Sequence, residues 1–341
     1  MNILLTGGTG FVGSHMIDFL LKKETMIYSS RRWRSRDDNI KHLYGNERVK
    51  FIEADLLDRG SLARLIRLSR PDIIFHFAAQ SFPETSFIYP VHTLNTNTIG
   101  TTNFFDELRL AIEAAICDPI IINVSSSEVY GMPNVDELPI KETNPLRAAN
   151  PYSISKVGQD FIGRYYCDAY GLKIITTRMF SHEGARRGKQ FALSSFALQI
   201  ARAEAQYQQE LIDSVNSGND KLTEVFTLKV GNLNSVRTYA HIDDAVEAYW
   251  VCSTDGEVGA VYNIGGEQTC TVEEALNMLL SKSILPRIKF EIKVDQDRIR
   301  PTDITLQIPD CTAFKLRTGW KPKRDLDDIC NDLLNYWRKD I

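Results

Sequence analysis

"LLTGGTGFVGSH", residues 4–15, decides how the rest of this chain is read. An apolar run ends at Thr6, a helical pattern begins at Phe11, and Gly7, Gly10 and Gly13 recur at three-residue spacing across the junction. Glycine lets a backbone turn tightly and lets a pyrophosphate approach the amides at a helix N-terminus. Such a pattern alone marks only a turn. Here it follows the first strand of a strand–helix–strand unit, the context in which it signals a dinucleotide. Phe11 and Val12 lie within the same fingerprint and are expected in the same contact surface.

Working outward, continuous apolar runs alternate with helical stretches: "MIYSS" (26–30), "VKFIEA" (49–54), "DIIFHFA" (72–78), "IIINVSS" (120–126) and "LKIITTRMF" (172–180). Runs of this kind suit strands covered on both faces. The alternation predicts an α/β fold, a doubly wound parallel sheet of the Rossmann type. After about residue 181 helices mix with isolated strands, which predicts a smaller, partly interleaved C-terminal α/β substrate lobe. The expected division is 1–180 plus about 232–265 for the dinucleotide domain, and about 181–231 plus 266–341 for the lobe. The polar stretch 212–224 reads as an exposed loop between a helix and a strand.

Composition narrows the class. The 341 residues carry a formal net charge of −4, with 43% hydrophobic and 25% charged residues. No basic field favours nucleic acid. No apolar run approaches membrane-spanning length. The six cysteines show no metal-ligand spacing and read as core residues of a reducing compartment, so a cytoplasmic protein without metal or membrane partner is expected.

The end of the second strand selects the dinucleotide. An acidic residue there binds a ribose 2′-hydroxyl, whereas arginines accommodate a 2′-phosphate. Arg31 and Arg32 occupy the position, with Ser29, Ser30 and Ser35 nearby, which favours NADP over NAD. Asp55, after the third strand, is placed to meet the adenine amino group, with Leu56 beside it. Ala78 and Ala79, after the fourth, leave room for the cofactor ribose.

"NPYSISKVGQDF" (150–161) puts Tyr152 and Lys156 four apart, on one face of a helix. An ammonium stabilises a phenolate and lowers the tyrosine from its usual value of about 10. Such a phenol takes the proton of a substrate alcohol while hydride departs. Ser126, at the carboxyl end of the fifth strand, is placed to hydrogen-bond the same oxygen, although a turn or cap is the commoner role of such a serine. Glu128 is the carboxylate that oxidoreduction at one carbon does not need and that proton abstraction beside a new ketone does. A surface glutamate in a short turn is the alternative.

With these marks in place the sequence resembles the extended short-chain dehydrogenase/reductases. Within them, "RRWRSRDDNIKHLY", "AAQSFPETSF", "SSSEVYG", "FSHEGARRG", "VGNLNSVR" and "RPTDITL…TGWKP" are similar, in the same order, to segments of the GDP-mannose 4,6-dehydratases. The resemblance implies that Tyr152 and Lys156 serve oxidation at sugar carbon 4, assisted by Ser126 where the family has threonine. It implies that Glu128 removes the proton at carbon 5, so that water leaves from carbon 6. It places Gln80, Ser126, Ser181, Asn232, Arg237 and Arg300 at the nucleotide-diphosphate sugar, a GDP-sugar being favoured, His182 and Arg186 at the cofactor, and Arg186 with the loop 31–36 in segments near the cofactor and subunit contacts. A homodimer or homotetramer is expected. The sequence departs from the family at Ser181, at Ser194 and Ser195 in place of a basic pair, at "RTYAHIDD", and in a longer segment 205–224, which points to an altered sugar or reaction on the same scaffold. The competing readings are a GDP-4-keto-6-deoxy-sugar reductase, a 4-oxidase or an epimerase. From another class comes a non-enzymatic NADP-binding sensor, in which the Tyr/Lys pair is often lost.

Overall fold

The apolar runs of the first half become strands, and the central ones are covered on both faces. Ile3, Leu4 and Leu5 have no exposed surface, and neither do Ile74, Phe75, Ile121 and Ile122. The computed structural model describes residues 1–217, 222–299 and 301–341. In chain order β1 (Asn2–Thr6), α1 (Phe11–Leu21), β2 (Met26–Arg31), β3 (Val49–Glu53), α2 (Arg59–Ser69) and β4 (Ile73–His76) come first. Then follow α3 (Pro83–Ile88), α4 (Pro90–Leu94), α5 (Gly100–Glu113), β5 (Ile120–Val124), α6 (Pro151–Tyr170) and β6 (Lys173–Met179). The remainder is β7 (His182–Glu183), α7 (Ala192–Ser217), β8 (Phe226–Val230), β9 (Val236–Thr238), β10 (Ala240–His241), α8 (Ile242–Asp255), β11 (Val261–Ile264), β12 (Thr269–Thr271), α9 (Val272–Ser281), β13 (Phe290–Val294), β14 (Leu306–Gln307), α10 (Thr312–Thr318) and α11 (Leu326–Asp340).

The chain divides into two compact units. The first comprises Met1–Phe180, Asp243–Gly265 and Pro309–Lys321. Its seven-stranded sheet runs β11-β6-β5-β4-β1-β2-β3, with parallel pairing throughout. This is the doubly wound order, and the progress of the strand order reverses between β1 and β4, where such sheets bind ligands at their carboxyl edge. Leu4, Ile74, Phe104, Phe105, Leu108 and Ile174 form part of the core between sheet and helices. Local signals fix the helix ends. Asp58 accepts from the amides of Gly60 and Ser61 to start α2, and Gly171 ends α6 at φ +70.

The second unit comprises Ser181–Ile242, Gly266–Ile308 and Pro322–Ile341. Its core gathers Phe196 and Ile200 of α7, Leu276 and Leu279 of α9, and Ile329 and Leu333 of α11. β8 pairs in parallel with β13, β9 lies between β12 and β14, and β10 pairs with β7.

Two boundaries differ from the sequence reading. Residues 232–242 sit in the second unit, because β9 takes its partners from β12 and β14 and β10 takes β7; the return to the first unit comes at Asp243. Residues 309–321 also belong to the first unit, tied by the Asp310 amide to the Ile140 carbonyl at 2.8 Å. The expected loop 212–224 is helical as far as Ser217, while 218–221 lie outside the described residues. Polar side chains carry that last stretch of α7, with Gln206 bonded to Glu210 and Gln209 to Asp213 one turn on.

Candidate active site

The β1–α1 turn is shaped by what a side chain would displace. Gly7 has φ +78, and a Cβ there would lie 2.9 Å from the Ala78 Cα and N. A Cβ on Gly13 would collide with the Gly7 carbonyl oxygen. Gly10 begins α1 with no side-chain cap, its N–H donating back to the Gly7 carbonyl at 3.1 Å. The Gly7 amide donates to Ser30 Oγ at 3.1 Å, which ties the turn to β2. The glycines therefore let the turn pack tightly against Ala78 and the start of α1, the tight glycine turn that a dinucleotide's pyrophosphate uses, and the residues present fit a dinucleotide.

Beneath this turn His76 has no exposed surface. Its Nδ1 bonds Thr6 Oγ1 at 2.8 Å and its Nε2 bonds Thr101 Oγ1 at 2.9 Å, while Thr6 Oγ1 also accepts from the Ala78 amide. Burial holds this imidazole down at about 3, so it is neutral and acts as a strut between the ends of β1 and β4.

The other expected cofactor contacts are placed as follows. Arg31 and Arg32 are exposed at the end of β2. Arg31 Nη1 donates to the Tyr44 hydroxyl at 3.5 Å, and that hydroxyl donates to Asp37 at 3.1 Å. Asp55 accepts from the Leu57 amide at 3.0 Å, which fixes the exit of β3, and Leu56 is buried in the core. Ala79 is half-buried. Gln80 spends its side chain locally: its Nε2 donates to Thr93 and to the Phe82 carbonyl, and its Oε1 accepts from the Phe82 amide.

α6 carries the Tyr/Lys pair. Asn150 caps it by accepting from the Ser153 amide at 2.8 Å, and Pro151 supplies the preset first turn. The buried face of this helix is polar: Tyr152, Ser153, Ser155, Lys156, Gln159 and Asp160 all lie inside, and Gly163 lets the helix close on Asn123. Lys156 Nζ donates to the Val124 carbonyl at the end of β5 and to Gln159 Oε1, both at 2.8 Å. Gln159 in turn donates to Asn123 Oδ1 at 3.1 Å. Burial lowers the Lys156 ammonium to about 7. Tyr152 is 8% exposed, one helical turn before it.

Ser126 accepts from the Glu128 amide at 3.2 Å and so caps the 3-10 turn Ser127–Tyr130, the role that a serine at a strand end most often has. Its hydroxyl proton is a donor in addition. Glu128 Oε2 accepts from Asn150 Nδ2 at 3.1 Å, which ties the carboxylate to the residue that starts α6, two before Tyr152. Pattern reading passed over Asn150 and Gln159. The Asn-Pro start with Ser153 three residues later, and a polar residue on the same face as Lys156, are the signals that point to them.

In the second unit, Asn232 Nδ2 donates to Asp303 at 2.8 Å. Arg237 donates to the carbonyls of Val236 and Ile304. Arg300 lies outside the described residues. Ser181 accepts at its carbonyl from the Ala240 amide at 2.9 Å. His182 forms β7 with Glu183, and burial pushes the Glu183 carboxyl up, opposed by Arg187. Arg186 adopts φ +65, an uncommon conformation for a non-glycine residue. Ser194 and Ser195, which replace the expected basic pair, are buried hydrogen-bonding residues: Trp337 Nε1 donates to Ser194 and Arg298 Nη1 to Ser195, at 3.1 and 3.0 Å. Among the described residues no cluster of His, Cys, Asp and Glu could hold a metal, and no helix is long and apolar enough to cross a membrane.

A buried Tyr/Lys pair presented at the carboxyl end of β5 in a sheet of this order places the chain among the extended short-chain dehydrogenase/reductases. Comparison narrows this further. The family model for GDP-mannose 4,6 dehydratase matches residues 4–333, and the chain belongs to that family. It is 29% identical over 356 residues to the human GDP-mannose 4,6 dehydratase, covering 97% of this chain and 90% of that one. It is 26% identical over 339 residues to a GDP-6-deoxy-D-mannose reductase of Pseudomonas aeruginosa, covering 99% and 98%. A solved structure of RMD from Pseudomonas aeruginosa complexed with NADPH superposes with a TM-score of 0.78 at 25% identity, covering all of both chains.

Proposed function

We propose that this chain is an NADP-dependent 4,6-dehydratase of a nucleotide-diphosphate sugar, of the GDP-mannose or GDP-heptose type. The observation that carries the reading is the tether between two proton-handling groups. Glu128 is bonded to Asn150, and Asn150 starts the helix whose first two turns hold Tyr152 and Lys156. Oxidation of one alcohol needs a single base; a second, fixed to the same helix start, suits proton removal at the adjoining carbon.

In this reading Tyr152, helped by Lys156 and Ser126, takes the proton of the carbon 4 hydroxyl. The nicotinamide, when bound, supplies a store for the hydride released at carbon 4 and returned at carbon 6. The carbon 4 ketone acidifies carbon 5, Glu128 takes that proton and passes it to the hydroxide leaving carbon 6, which departs as water, and carbon 5 takes a solvent-derived proton as hydride reaches carbon 6. The product is a 4-keto-6-deoxy sugar. Asn232 and Arg237, with Arg300, hold the nucleotide diphosphate, for which guanidinium geometry is suited. Arg31 and Arg32 take the 2′-phosphate, a choice supported by the NADPH in the Pseudomonas relative.

The test is a balance of cofactor with GDP-mannose and GDP-manno-heptose. A dehydratase forms the keto sugar with no net change in NADPH, and in heavy water it places deuterium at carbon 5. Glu128→Gln is expected to lower that incorporation by about 10²-fold or more while carbon 4 oxidation persists. Stoichiometric loss of NADPH would favour the reductase reading, which the 26% identity to the Pseudomonas reductase keeps in view.

The active form in this reading is a homodimer or homotetramer. Ile154, Phe161 and Tyr165 are 51, 53 and 55% exposed on α6, at spacings that bring them onto one outward stripe. Sedimentation of the purified chain is expected to give at least twice the monomer mass of 38.7 kDa, and a monomer at micromolar concentration would exclude the assembly.

A further inference from the structure

Beside the turn that carries Glu128 lies a buried polar network that the chemistry above does not use. Arg178 on β6 is 2% exposed. Its Nε and Nη2 donate to the two carboxylate oxygens of Asp160 on α6, at 2.8 and 3.1 Å. Its Nη1 donates to the Tyr130 phenol oxygen and to the Glu142 carbonyl, each at 2.9 Å. Tyr130 in turn donates to Asn263 Oδ1 on β11 at 2.7 Å. Asn263 is fixed by two further bonds, its amide to Glu142 Oε1 at 2.8 Å and its Nδ2 to the Ile140 carbonyl at 2.9 Å. Phe180 stacks against the Tyr130 ring at 6.3 Å.

A buried ion pair is a poor source of stability, since well-packed apolar residues commonly do as well. What Arg178 supplies is registry: one guanidinium joins β6, α6 and the Ser127–Tyr130 turn. Tyr130 closes that turn, and Gly131 after it has φ +60 and packs where a Cβ would meet the Arg147 carbonyl. The turn is thus held at its start by the Ser126 cap, at its end by Tyr130, and Glu128 projects between them.

We propose that Tyr130 is a positioning residue for Glu128: its hydroxyl, locked between Arg178 and Asn263, sets the turn so that the Glu128 carboxylate meets the proton at carbon 5. The role rests on the reading of Glu128 as the base. Burial pushes the Tyr130 phenol up to about 12 against the pull of Arg178, so the hydroxyl keeps its proton, and its bond to Asn263, across the working range.

Tyr130→Phe keeps the ring and its stack and deletes only the hydroxyl. With GDP-mannose as probe, two rates are read in wild-type and variant holoenzyme: transient cofactor reduction at carbon 4 and deuterium incorporation at carbon 5. Incorporation is expected to fall about 10–100-fold, as misplacement of a reacting group by a fraction of an ångström to one ångström does. Carbon 4 oxidation stays within about twofold, and adding Tyr130→Phe to Glu128→Gln costs nothing more, because both changes act on one group. Asn263→Ala, which leaves the phenol and removes its acceptor, is expected to give the same selective loss. Two rates that fall together, or neither falling, would overturn the positioning role while leaving Glu128 as base. Exchange that survives in Glu128→Gln would remove the base reading and the positioning role with it.

Discussion

Tyr152→Phe is expected to lower turnover by about 10³-fold, within the roughly 10²–10⁴-fold that a positioned acid–base group contributes. The substitution is chemically narrow. Tyr152 is buried, so the phenyl ring keeps the packing of the first turn of α6, and the Asn150 cap, the Lys156 bonds and the Gly7–Ala78 cradle lie on other atoms. Binding of NADPH, followed by fluorescence titration, should therefore stay within a few-fold of wild type, and the thermal midpoint should move little. What disappears is the oxygen proposed to take the proton at carbon 4. Since the ketone at carbon 4 must exist before the proton at carbon 5 becomes acidic, deuterium incorporation should vanish along with product, although Glu128 is intact. That pattern separates the two groups, because Glu128→Gln blocks the later step alone. Persistence of turnover within about threefold would show that some other group handles the carbon 4 proton.

How much of this was legible before the structure depends on the distance over which each feature is determined. The β1–α1 turn is decided locally: Gly7 and Gly13 are required by contacts with Ala78 and Gly7 that any strand–turn–helix of this kind creates, so the spacing of glycines is enough. The sheet is legible for a related reason, since strands buried on both faces are apolar throughout. α6 is different. Its inward face holds Tyr152, Lys156, Gln159 and Asp160, so hydrophobic periodicity reports the wrong side of the helix, and only the Tyr/Lys spacing betrays its use. The tether from Asn150 to Glu128 and the joining of Arg178 to Tyr130 and Asp160 span 18 to 48 residues and leave no periodic trace. Residues 232–242 read as part of the dinucleotide domain because a strand's partner is not written in the strand. β9 finds β12 and β14 across more than thirty residues. The departures at Ser194 and Ser195 were visible as missing charge, whereas their buried bonds to Trp337 and Arg298 depend on packing within the second unit.

Lys156→Met offers the second large effect, and its sign can be worked out. In the native chain burial brings the ammonium from 10.5 to about 7. Between those values the unfolded chain holds a proton that the folded chain has released, so wild-type stability increases with pH across the window. Below about pH 7 both states are protonated, and the cost of burying the charge is present in full. Methionine has no such cost. The absolute stability of the variant also includes the loss of a donor to Val124 and Gln159, but those neutral acceptors do not titrate, so the pH dependence of the difference belongs to the ammonium. Each unit of the window is worth about 1.4 kcal/mol, and lowering pH from 9 to 7 should therefore shift the difference toward Lys156→Met by roughly 2–3 kcal/mol. Urea unfolding of both proteins at pH 9, 8, 7 and 6 reads this directly: the variant gains on wild type down to about pH 7 and then holds a constant margin. Turnover should move the other way. Without the ammonium no cation on α6 offsets the negative charge that forms on the Tyr152 oxygen, so activity at neutral pH should drop by about 10²–10³-fold. A stability difference that stays flat with pH would mean that the two carbonyl acceptors keep Lys156 charged throughout, and that the phenol is tuned by a permanent cation rather than by one poised near neutrality.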